Sequence, residues 1–238
     1  MEDFPLISVI TPIHTKSHKI PQIRKAISSA TVPIELIIVI NNPALTNHIT
    51  TKRPNEAVVV ARRKGRGFAF LEGIENIRGS ITMLLHSDTI PPIGWDKAIL
   101  TALNNPKVVG GGFSMRYNTP KPNLDLGVWM MNLWFRISGE LYGDRAMFIR
   151  SSILKSCLSE LEVPIFEDLR LARCMHKHGK VVLLKERVLT SDKTLKEHGI
   201  LRYLGSFVLC RLWYALGGSP FQIYNAYYAP TRSERQTK

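Results

Sequence analysis

The chain has 238 residues, 45% hydrophobic and 21% charged, and a formal net charge of +13. Those fractions exclude wholesale disorder, and the length suffices for one α/β domain with an appended tail. The excess of positive charge suits an anionic partner, whether a nucleotide diphosphate, a nucleic acid or a phospholipid surface, and does not choose among them.

The first half alternates strand-like and helix-like segments. Residues 6–11 are β-branched and apolar and lead into Pro12, which predicts the first strand; 17–30 carry Ile20, Ile23 and Ile27 at helical spacing. A continuous apolar run over 35–40 stops at Asn41-Asn42-Pro43, as a central strand entering a loop does. A short strand is expected at 58–61, and a helix over 68–77 that begins just after Gly65-Arg66-Gly67 and ends at Gly79. A strand over 80–85 and a helix over 95–104 complete the half. This rhythm implies a mostly parallel, Rossmann-like sheet covered on both faces, with ligands beyond the carboxyl ends of its strands.

The second half is less regular. It predicts a strand at 108–117 entered through Gly110-Gly111-Gly112, an aromatic helix over 124–141 and a strand at 144–149. A helix over 167–178, two short strands at 180–184 and 187–190, and a basic amphipathic stretch over 199–216 follow. Residues 231–238 read as a frayed polar tail. The three cysteines, Cys157, Cys174 and Cys210, form no CxxC motif. We expect no disulfide, buried thiols and a reducing compartment. Met1–Pro5 lacks a signal-peptide pattern, and the most apolar segments, 128–135 and 203–216, fall short of a membrane span. The expected location is therefore cytoplasmic, with peripheral contact at an anionic membrane face left open.

Two motifs can carry chemistry. In Met83-Leu84-Leu85-His86-Ser87-Asp88-Thr89 an apolar strand delivers an acid to a loop stiffened by Pro91-Pro92. Asp88 either holds a divalent cation that bridges a diphosphate or caps the helix or turn that follows; His86 would lie on the same face and offer a nitrogen ligand. In Pro164-Ile165-Phe166-Glu167-Asp168-Leu169 two acids open a helix. Capping explains that pair by itself; the catalytic alternative makes Asp168 a general base. Residues 62–67 suit phosphate or a solvated charge run, and Trp129, Trp134 and Phe135 suit a core or an exposed platform. His198 suits a surface or a metal site, and 202–214 suit a packed helix or an anionic membrane.

In order, Gly65-Arg66-Gly67, Leu85–Thr89, Gly111-Gly112-Phe113, Tyr142–Arg150, 164–173, 179–184 and Thr190-Ser191 resemble a family 2 glycosyltransferase. The nearer likeness is to the bacterial branch called transferase 2, rSAM/selenodomain-associated. The resemblance implies a GT-A fold over residues 1–198 with a helical segment, 199–238, packed on it. It implies a nucleoside-diphosphate sugar donor, Mg²⁺ or Mn²⁺, and a hydroxyl-bearing acceptor that is a sugar, a lipid or a small molecule. Asp88 and His86 take the metal position, Pro12, Asn42, Arg66, Ser87 and Asp88 the donor side, Asp144 and Arg145 the acceptor side, and Asp168 with Glu167 the catalytic position. The chain departs from the family pattern at His86 and Asn42, where acids are common, and at Ile13-His14-Thr15-Lys16.

Two other functions fit the sequence less well. A nucleotidyltransferase would place a Gly-rich phosphate loop and a lysine after the first strand, where this chain has Thr11-Pro12-Ile13-His14. A nucleic-acid-binding module would show a recognition motif, and none is found.

Overall fold

The computed structural model describes residues 6–15, 19–49, 51, 53–119, 122–193, 196 and 199–228. His198 lies outside them. Seven strands form one sheet: β1 (Ile7–Ile13), β2 (Ile34–Ile40), β3 (Glu56–Val60), β4 (Ile81–Leu84), β5 (Val108–Tyr117), β6 (Met147–Arg150) and β7 (Lys180–Thr190), in the order β3-β2-β1-β4-β6-β5-β7. Only β6 runs against its neighbours β4 and β5; the other pairings are parallel.

Helices cover both faces. α1 (Ile20–Ile27) and α3 (Trp95–Leu103) lie over one, α2 (Arg66–Ile74), α5 (Ser151–Ser156) and α6 (Glu167–His178) over the other, and α4 (Pro122–Ser138) joins the first core through Val128 and the second through Phe135. The alternation in β2 shows why both faces close. Leu36, Ile38 and Ile40 join the core beneath α1 and α3, while Ile37 and Val39 join the core beneath α2. A strand buried on both sides needs a continuous apolar run, and β2 has one interrupted only by Glu35. Pro12 is tolerated inside β1 because the ladder to β4 stops at Ile10↔Leu84. The Ile10 carbonyl accepts from Leu85 on that side, so the N–H that Pro12 lacks would have faced past the end of the ladder.

Several elements differ from the expectation. The predicted strand at 144–149 starts at Met147, because Gly143–Arg145 form a 3-10 turn. The two short strands are one, β7, whose register against β5 slips at a bulge between Phe113 and Ser114. The short helix α5 was not expected. The segment expected to be helical over 199–238 contains α7 (Ile200–Ala215) and α8 (Pro220–Tyr227).

The cysteines also differ from the expectation. Cys157 and Cys174 are joined in a disulfide between the end of α5 and α6, and Cys210 is free. Spacing along the chain could not reveal this, because the two residues meet only when α5 packs on α6. The inference to a reducing compartment thereby loses its basis. No helix among the described residues is long and apolar enough to cross a membrane.

Candidate active site

The carboxyl edge of the sheet gathers charge from four separated segments. The loop after β4 is pinned on both sides. Ser87 O accepts from Lys19 N at 2.6 Å, Thr89 N donates to His86 O at 3.1 Å, and Ile90 and Leu189 exchange two backbone hydrogen bonds of 2.9 Å. Ser87 is buried and Asp88 half-buried. α3 takes its N-cap from Gly94, so Asp88 caps no helix. Among the described residues its carboxylate receives only a long contact from Thr89 Oγ1, 3.4 Å. The pinned backbone and lightly engaged carboxylate leave Asp88 available to a ligand.

A second segment, Tyr142–Ala146, lies opposite. Asp168 Oδ2 accepts from Gly143 N and Oδ1 from Leu169 N, both at 2.8 Å, so Asp168 is aimed by two backbone donors. His86 Nε2 is buried without a hydrogen-bond partner among the described residues. It lies 2.6 Å from where a side chain on Gly143 would begin, and Asp168 Oδ2 lies 3.4 Å from the same point. Only glycine fits there. The imidazole stacks on Phe70, and burial, with Arg66 and His14 adding to it, holds it neutral by pushing its pKa well below the usual value.

Glu167 is buried and pairs through Oε1 with Arg66 Nε at 2.9 Å. Burial raises the Glu167 pKa to about 7, with the Asp168 charge adding and Arg66 opposing. Burial alone would lower Arg66, but Glu167 and Asp168 more than offset it and leave it raised. The pair is built by glycines. A Cβ on Gly65, whose φ is 122°, would meet Pro164 Cα at 2.5 Å, and one on Gly67 would meet the Leu161 and Val163 carbonyls at 2.3 Å. The loop read as a phosphate cradle therefore packs backbone to backbone on the segment before Glu167, and that contact delivers Arg66 to it.

Asp144 is also raised, to about 6, chiefly by burial, and the charges of Asp168 and Asp88 both add. Asp144 thus links the two motifs electrostatically. Its neighbour Arg145 is sealed from solvent; Nη1 donates to Asn132 Oδ1 at 2.7 Å and to Phe113 O at 3.4 Å, while Nε and Nη2 have no partner among the described residues. Ala146 and Phe166, with φ of 47° and 66°, are the non-glycine residues of positive φ among those described. They flank the two acidic segments, and left-handed backbone costs about 1 kcal/mol or more at each, a strain that clusters at functional sites.

Asn42 stands apart at the end of β2. Its Oδ1 accepts from Ala44 N at 3.2 Å and its Nδ2 donates to His14 O at 3.3 Å, so it shapes the loop edge. Pro12 is buried in β1. Sequence reading missed Lys19, Phe70, Asn132 and Gly143 as supports of the site. Lys19 donates to Asn118 Oδ1 at 3.2 Å; burial lowers its pKa while Asp88 and Asp192 hold it up. Asn132 carried a legible signal, as an amide inside an otherwise apolar stretch of α4.

A divalent cation fits this edge only in one mode. No group of three His, Cys, Asp or Glu side chains that includes Asp88 or His86 is close enough to share an ion among the described residues. The free nitrogen of His86 faces Gly143. One open carboxylate, Asp88, suits an ion held mainly by its own waters and by a ligand's phosphates.

Neither a protein-family model nor a curated protein sequence matches the chain. Solved structures do match its fold. S. aureus TarS residues 1–349 superpose with a TM-score of 0.56 at 14% identity, over 78% of this chain and 60% of that one. The same protein in complex with UDP gives 0.57 at 15% identity, over 78% and 60%. Its complex with UDP-GlcNAc gives 0.56 at 14%, over 78% and 58%. The match therefore covers about 60% of the 1–349 portion of TarS and 36% of the longer TarS structure. The fold is GT-A, a mixed α/β sheet with helices on both faces.

Proposed function

We propose that the chain is a glycosyltransferase that moves a sugar from a nucleoside-diphosphate donor to a hydroxyl acceptor with inversion. The observation that carries this reading is the meeting of Asp88, Asp144 and the Glu167-Asp168 pair at the carboxyl edge of a GT-A sheet. The fold neighbour whose complexes hold UDP and UDP-GlcNAc supports the donor class.

In this reading Asp168 accepts the acceptor's hydroxyl proton as the oxygen attacks the sugar in line. The Gly143 and Leu169 N–H groups fix its orientation, which is what a general base requires first. Asp144, with a pKa near 6, hydrogen-bonds the incoming sugar hydroxyl, and sealed Arg145 holds the loop that presents it. Glu167 and Arg66 form the floor under Asp168. Pro12, Asn42 and Ser87 line the donor side. A bound Mg²⁺ or Mn²⁺ at Asp88 would supply positive charge against the departing diphosphate.

The test is donor binding and turnover. UDP or UDP-GlcNAc, with and without Mn²⁺, should raise the thermal midpoint of the wild type, and Asp88→Ala should lose most of that shift. Asp168→Asn should bind donor normally and lose turnover. Wild-type indifference to a full panel of nucleotides and nucleotide sugars would overturn the reading.

A further inference from the structure

Outside the site, the largest unexplained feature is apolar. Of the four tryptophans in the chain, Trp95 is fully buried, whereas Trp129, Trp134 and Trp213 are 60%, 47% and 42% exposed. All three exposed indoles sit on two helices. On α4 the exposed residues Leu126, Trp129, Met130, Leu133 and Ile137 follow helical spacing and form one stripe, while Leu124, Val128 and Phe135 face the protein. On α7 Val208, Leu209, Leu212, Trp213 and Leu216 form a second stripe. Isolated exposed apolar residues are ordinary; two ordered stripes are not.

Both helices are anchored on one carboxylate. Glu140 accepts from Trp134 Nε1 on α4 at 3.1 Å, pairs with Arg211 on α7 and pairs with Arg173 on α6 at 3.3 Å. Tyr142, two residues on, packs edge-on against Phe207 of α7. The stripes therefore flank the segment that leads into Gly143 and Asp144. The charge around them is mainly positive, although α4 also carries the exposed acid Asp125 and Arg211 is already paired with Glu140. Residues 199–228 contain Arg202 and Arg211 and no acid, and the whole chain carries +13. Arg136 of α4 is exposed. Exposed tryptophans and aliphatics on helices with a basic surround match what an anionic lipid interface receives. A second copy of a chain this basic would bring like charge against like charge.

We propose that the outer faces of α4 and α7 dock on the surface of an anionic lipid bilayer, which sets the mouth of the site against the membrane. The docking does not depend on sugar transfer, so its test uses no turnover.

The full chain is sedimented with phosphatidylcholine vesicles that contain or lack phosphatidylglycerol. Binding should require the anionic lipid and weaken with salt. Trp129→Glu with Leu133→Glu, and separately Leu209→Glu with Leu212→Glu, should each lower partitioning about tenfold or more, with thermal midpoint and UDP response unchanged. Brominated lipids should quench the wild-type tryptophan fluorescence, which keeps the proposal testable if a variant misfolds. Absence of binding and quenching by the wild type, equal binding to neutral vesicles, or undiminished binding by both folded variants would overturn it. So would a dimer that the same substitutions abolish, without vesicle binding. Loss of UDP response in the wild type with vesicle binding intact would count against the transfer reading and leave the docking standing.

Discussion

Glu35 and Glu167 are both buried acids of one fold, and their surroundings are opposite. Glu35, in β2, accepts from Ser8 Oγ, from the Arg78 N–H and Nε, and from Gly79 N. Burial pushes its pKa up, but those donors outweigh it and leave it lowered. Glu167 meets Arg66 in an ion pair, no hydrogen bond of good geometry reaches either oxygen among the described residues, and its pKa rises to about 7. Asp144, Arg145 and His86 likewise keep buried polar atoms without partners among the described residues; Asp96, in α3, is intermediate, with Oδ2 accepting from Thr31 N and Oγ1 while Oδ1 is buried without a partner. A satisfied network is a structural device; an under-satisfied one is where a protein holds chemistry in reserve.

That contrast can be broken by experiment. The largest effect should fall on turnover: Asp168→Asn should cost about 10²–10⁴-fold in kcat, while Glu35→Gln should leave kcat within about twofold. Equal losses would erase the distinction. Next comes stability. Glu35→Ala removes the acceptor of Ser8 Oγ and of the Arg78 backbone N–H and should cost about 3 kcal/mol in urea unfolding. Gly143→Ala places a methyl 2.6 Å from His86 Nε2 and should cost about 1–3 kcal/mol, with activity lost in parallel.

The pH response should then separate the two acids. Glu167 titrates near 7 in the folded chain against an ordinary 4.5, so the folded state holds the extra proton between those values. Stability should fall as pH rises through that window, on the order of 1–2 kcal/mol, and Glu167→Gln should flatten the fall. Asp144, raised from 3.8 to about 6, adds in the same direction. Glu35, being lowered, acts oppositely: its contribution is complete above its ordinary 4.5 and is lost as pH falls through its folded value. Thermal midpoints of wild type and Glu167→Gln across pH would show this. The smallest effect belongs to Asn42→Ala, which removes one cap to Ala44 N and should cost about 0.5–1 kcal/mol.

Legibility followed the same division. β1, β2, β4, α3 and α6 stand within two residues of their predicted bounds, because each is set by a run or period that acts locally. The segment at 144–149 misled, since its apolar end is strand and its charged start is a turn that exists only against Asp168. Asp88 and the Glu167-Asp168 pair could be singled out as acids in suggestive places. Their capping alternatives could not be dismissed from spacing. Gly94 at the α3 N-cap removes the helix cap for Asp88, and the Gly143 bond shows that Asp168 does more than cap.

The sequence by itself determined the parallel α/β plan, the acids at its carboxyl edge and the basic charge, because apolar periodicity and charge are properties of neighbouring residues. Tertiary structure alone decided what those acids face. Arg66 meets Glu167 because Gly65 and Gly67 admit the backbone of Leu161–Pro164, and His86 meets Asp168 across a glycine. The Cys157–Cys174 disulfide and the outward faces of α4 and α7 were likewise beyond a local reading. Each depends on which surfaces are brought together and which are left over, and long-range packing settles that.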